Sequence, residues 1–313
     1  MSVELPPTPL LEPTDLEKSD SSLVRSQPLI PQLRWLEALK DTSIMLLATR
    51  FQARLMAKSY TDEELDKLFF GFERALFATI NASVMRNLNW EVTHNTDLPE
   101  ANDGDRYVYI GNHPTLTAGW PFIHFMCQRY GYNSVAVVKD DFIKEKWLRI
   151  MLGDLMRDAR KAIFINRDNR EEAVSEIEAN ALKLLTPGTA ATIFPDSRRP
   201  YDDRIKEEQG VWHGKFPELD VASWITETCF PRNTGLWTLT QAIESLEDVR
   251  FLDCTIVEPN PVHTWGGRLH IEVHEMDRSE LLGSPESLDH LNKKLIKMWK
   301  AKNEMIRRIR GGR

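Results

Sequence analysis

Cysteine is scarce in this chain: three in 313 residues, Cys127, Cys229 and Cys254, with no Cys-x-x-Cys pair among them. That excludes a disulfide framework and a thiolate zinc site, and leaves the three as buried small apolar residues. Long apolar runs are also missing. No window of 18 residues is predominantly apolar, so no spanning helix is indicated, and the start lacks the basic-then-apolar layout of a signal peptide. The expectation is a cytoplasmic protein. No internal repeat is visible.

What the sequence has is an uneven charge. From His290 to Arg313 nine cations face only Glu304, a local charge of +8, which leaves −15 on the rest of a chain whose net charge is −7. Leu291, Leu295, Met298, Trp299, Met305, Ile306 and Ile309 recur there at steps of three and four, so residues 283–313 end in a basic amphipathic helix. Its stripe suits either an anionic lipid surface or the body of the protein. The acidic body argues against a nucleic-acid partner.

Residues 1–31 are rich in Pro, Ser and acidic side chains and read as a disordered leader. Residues 32–87 carry two helical patterns. The first runs through Leu33, Leu36, Leu39, Leu47, Phe51 and Leu55 and is apolar over much of its surface, as core or as an interface. The second starts at Thr61, a plausible N-cap, and buries Leu65, Leu68, Phe72, Leu76 and Ile80. From about residue 88 to 282 short apolar runs alternate with amphipathic segments. This predicts an α/β domain, a mixed and mainly parallel sheet covered by helices. Strands are expected at 106–111, 134–138, 162–165, 190–194, 251–257 and 268–274, and helices at 118–129, 142–157, 169–185 and 234–246. Residues 200–230 show no sustained period and read as a long loop or a partly helical insertion.

Three predicted strands end in polar residues. The first delivers Asn112 and His113 into a turn before a helix, beside free backbone N–H groups, where a histidine can act as a base. An Asn-His-Pro turn without chemistry is the simpler alternative. The second delivers Arg167, which either holds an anion at the carboxyl end of the sheet or pairs with Glu171 or Glu172. The third delivers Asp196 and Arg199. Together they describe a base beside an anion-binding site, with no metal required.

In order and spacing these segments resemble the glycerolipid acyltransferase family, which includes 1-acylglycerol-3-phosphate and lysophospholipid acyltransferases. The family's Asn-His-x-x-x-x-Asp block is similar to Asn112 to Ala118, and its Gly-x-x-Phe-Ile-x-Arg block to Lys161 to Arg167. Its Phe-Pro-Glu-Gly-Thr-Arg block resembles Phe194 to Arg199, and its Pro-Arg-x-Thr-Gly loop Pro231 to Gly235. The resemblance implies fatty acyl transfer from acyl-CoA or acyl carrier protein, as co-substrate rather than bound cofactor, to a lysophospholipid or related hydroxyl. It implies His113 as general base, Asn112, Arg167, Arg199 and Arg232 on the acceptor, and a peripheral place on the inner face of a membrane with an anionic surface. Oligomeric state is not legible.

The chain departs from the pattern at three points. Lys161 replaces a glycine, Asp196-Ser197 replaces Glu-Gly, and Ala118 stands where the family has its aspartate. In a serine-protease triad, loss of the corresponding aspartate costs about 10⁴ in rate. Ala118 therefore implies either a lipid-binding pseudoenzyme or a substitute carboxylate, for which Asp196, Asp140 and Asp141 are the candidates. A rise in transfer on Ala118→Asp would mark a lost orienting group.

Overall fold

The computed structural model describes residues 90–102, 104–114, 118–130, 133–140, 144, 162–166, 169–196, 198–259 and 267–311. The predicted leader at 1–31, the helical region at 32–87 and nearly all of the helix at 142–157 lie outside them, as does Arg167.

Seven strands form one sheet in the order β1-β7-β6-β2-β5-β3-β4. They are β1 (Trp90–His94), β2 (Arg106–Gly111), β3 (Asn133–Lys139), β4 (Ala162–Ile165), β5 (Thr189–Ile193), β6 (Val249–Val257) and β7 (Gly267–Met276). Every neighbouring pair is parallel except β6 with β7. The sheet is mixed and mostly parallel, as expected. Strand β2 lies at its middle, and its sequence shows why. Val108 and Ile110 join the apolar cluster on one face, and Tyr107 and Tyr109 join the cluster on the other. A strand covered on both sides reads as an unbroken apolar run rather than an alternation.

One face is covered by α1 (Gly119–Tyr130). The other carries α2 (Arg170–Leu184), α3 (Asp202–Lys215), a 3₁₀ turn (Pro217–Leu219), α4 (Val221–Trp224), α5 (Thr234–Ala242), α6 (Arg278–Leu282) and α7 (Leu288–Gly311). Helix α2 starts where the Asn169 side chain accepts the Glu172 N–H at 3.2 Å, an N-cap worth about 1 kcal/mol. The 200–230 stretch is thus helical over much of its length.

One expectation is corrected, and one open alternative is decided. Cys127 is only half-buried, while Cys229 and Cys254 are buried. The tail helix, α7, does not offer its stripe to lipid: Leu291, Leu295, Met298, Trp299 and Ile306 are buried against the body. Several of its cations are also neutralised within the protein, Lys293 by Asp289, Lys294 by Glu280, Lys302 by Asp253 and Arg310 by Glu227.

Candidate active site

Strands β2, β5 and β6 are parallel neighbours, so their carboxyl ends open on one edge of the sheet. Chain leaving β2 carries Asn112 and His113, and chain leaving β5 carries Phe194 and Asp196. Gly111 suits the close approach of the two: a Cβ there would come within 3.1 Å of the Phe194 ring, which would have to give by a few tenths of an ångström.

Asn112 extends the β2–β6 ladder one step with its side chain. Its Nδ2 donates to the Ile256 carbonyl at 2.9 Å and its Oδ1 accepts the Ile256 N–H at 2.8 Å, with the residue buried. The amide therefore fixes the turn from inside. His113 is held twice. Its backbone N–H points at the Asp196 carboxyl, 3.0 and 2.8 Å from the two oxygens. Its ring Nδ1 lies 2.8 Å from the Pro114 carbonyl oxygen. A carbonyl only accepts, so Nδ1 carries the proton of the neutral ring and Nε2 is its basic atom. The ring also packs on Phe194, centroids 5.0 Å apart.

Asp196 is fully buried. Burial pushes its pKa up to about 8; the His113 N–H and the Lys302 charge pull it back, and Glu208 adds to the rise. Both its oxygens face the histidine's main chain. Asp140 is buried and paired with Lys144 at 2.5 Å; Asp141 lies outside the described residues. Ala118, just before α1, has no exposed surface and belongs to the apolar cluster of Tyr109, Phe122 and Met126.

The loop before α5 is tied to the same edge, since the Arg232 backbone N–H donates to the Pro195 carbonyl at 2.8 Å. The Arg232 guanidinium reaches Glu208 Oε1 at 3.2 Å, and Arg198 stands 3.7 Å from the same oxygen. Glu208 is buried and also accepts the Trp212 indole N–H. Trp212 in turn stacks on Phe230, ring centroids 4.2 Å apart. Helix α3 thus supplies a buried carboxylate between two arginines. No sequence pattern marked Glu208, because it lies among other charges of a stretch with no clear period; only its place four residues before Trp212 hinted at a shared helix face. Arg199 turns the chain toward α3, its carbonyl accepting the Tyr201 N–H at 3.0 Å. Arg167 follows β4 and Asn166 but lies outside the described residues; among the described residues Asn112, His113 and Asp196 meet at this edge, Arg232 is tied to it through the Pro195 carbonyl, and Arg199 follows Asp196 by three positions in the chain. Among the described residues no three His, Cys, Asp or Glu side chains are grouped to hold a metal ion.

A family model described as Acyltransferase matches residues 89–258. Among solved structures the chain is similar to the 1-acyl-sn-glycerophosphate (LPA) acyltransferase PlsC from Thermotoga maritima. The TM-score is 0.56 at 14% identity, over 89% of this chain and 95% of that one. No match was found among curated proteins.

Proposed function

Because the chain belongs to the acyltransferase family, we propose that it moves a fatty acyl group from acyl-CoA or acyl carrier protein to a hydroxyl of a lysophospholipid or related acceptor at a membrane surface. The observation that carries this is the histidine at the carboxyl end of the central strand, whose Nδ1–H is donated to the Pro114 carbonyl, which makes Nε2 the basic atom of the ring. In the reaction Nε2 takes the acceptor's hydroxyl proton as the oxygen attacks the thioester carbonyl. The tetrahedral intermediate then collapses, the C–S bond breaks, and the imidazolium returns its proton to the thiolate. The products are an ester and a free thiol.

Pro114's carbonyl orients the imidazole where the family uses aspartate. A neutral carbonyl stabilises the imidazolium less than a carboxylate does, which predicts a slow enzyme rather than a silent one. Arg199 and Arg232, with Arg167 by its place in the sequence, are proposed to bind an acceptor phosphate, because a guanidinium presents two parallel donors to two oxygens. The second reading, a lipid-binding pseudoenzyme, is favoured by Ala118. The test is thiol release from acyl-CoA with and without acceptor. Acceptor-dependent release supports the enzyme, and lipid binding without release supports the pseudoenzyme. Arg199→Lys and Arg232→Lys should raise KM for a phosphate-bearing acceptor by about tenfold and spare a neutral one. Equal KM values would make both arginines structural.

A further inference from the structure

Lys302 is an anomaly on an otherwise amphipathic helix. It is one of the nine cations of the basic tail, yet it is 1% exposed. Its ammonium donates to the Asp253 carboxylate, to the Cys254 carbonyl at 2.7 Å and to the Thr255 hydroxyl at 3.3 Å, using all three of its protons on β6. A buried cation is costly unless fully paired, and a methionine would fill the same space. Its position matters as well. Cys254 is the register partner of Gly111, and Asn112 bonds Ile256, so Lys302 fixes the segment of β6 against which the His113 turn is set. Its neighbour Asn303 holds the other side of the site: Oδ1 accepts the N–H groups of Thr226, Glu227 and Thr228, at the start of the segment that leads to Arg232.

We propose that Lys302 is a positioning residue for the catalytic turn, a buried cation that fixes the end of β6 beneath Asn112 and His113. The proposal rests on His113 as the base, and it assigns the tail helix to the active site. The charged and titratable groups around Asp196 come from four elements: His113 after β2, Lys302 on α7, Glu208 on α3 and Cys229 before α5. Lys302 is the cation among them that holds Asp196 toward its ionised form.

The test follows the His113 backbone amide by ¹⁵N NMR against pH, because that N–H donates to Asp196 and reports its ionisation without turnover. In wild type the titration should centre near pH 8. Lys302→Met should move the midpoint up by about one unit and lower kcat about tenfold with both KM values unchanged. Lys302→Arg, which keeps the charge, should restore most of both. Asp253→Asn, which frees the Lys302 charge from its counter-ion, should move the midpoint down, and it serves if Lys302→Met does not fold. A midpoint that stays in place in every folded variant overturns the proposal, as does a Lys302→Met variant that loses only thermal stability. Activity that survives His113→Ala would instead remove the base reading and leave the amide titration standing.

Discussion

At the scale of single residues, the proposed base is oriented by a backbone carbonyl, and alanine stands at the position where the resemblance implies a carboxylate. His113 Nδ1 bonds the Pro114 carbonyl, and Ala118 is enclosed by apolar neighbours. Ala118→Asp would bury a carboxyl in that cluster, so it should cost on the order of 3 kcal/mol by chemical denaturation and should not raise transfer. A variant that is both stable and faster would mean that the imidazole lacks only its aspartate. Asp196 makes a second prediction. Its pKa rises from 3.8 unfolded to about 8 folded, so the folded chain holds a proton that the unfolded chain has released. The group's favourable contribution is complete below pH 4 and is lost as pH rises toward 8, at roughly 1.4 kcal/mol per unit. Asp196→Asn should flatten that decline in urea titrations; an unchanged slope would place the carboxyl in a more polar setting. The residues of the site were legible where a strand ends in a motif, as with Asn112, His113 and Asp196. Asn112's bond to β6 was not, because its partner Ile256 lies 144 residues away.

At the scale of elements, legibility followed burial. The central strands were readable because two covered faces leave only apolar choices, and β2 runs over Arg106–Gly111 as expected. Strand β1 was missed: it is a five-residue edge strand, half-exposed and partly polar, paired on one side only. Helix α3 was ambiguous because its polar residues include inward ones, Glu208 above all. Helix α7 was plain as a helix and open as to its partner, since an apolar stripe beside lysines looks the same to a membrane and to a protein core. The structure gives it Trp299, fully buried. Trp299→Ala should therefore destabilise the fold by about 3–5 kcal/mol in denaturant titrations, and a merely membrane-facing tryptophan would cost almost nothing.

At the scale of the whole molecule, the +8 tail is not a separate basic arm. Among the described residues no helix is long and apolar enough to cross a membrane. The exposed Arg307 and Arg308 remain at the end of α7. Exposed charges of this kind act over a Debye length of about 8–10 Å and are screened by salt. Binding to anionic vesicles should thus survive Arg307→Glu with Arg308→Glu, and fall when residues 32–58 are deleted. The reverse pattern would return the tail to the lipid surface. The family, the shared sheet edge and the tautomer of His113 are what support the proposed acyl transfer by one histidine. The most direct measurement is single-turnover acyl transfer from acyl-CoA to a lysophospholipid by wild type and by His113→Ala, each shown to be folded by circular dichroism. The rate should fall by about 10²–10⁴ in the variant, the usual contribution of a general base; a well-folded His113→Ala that transfers acyl groups at the wild-type rate would contradict the account.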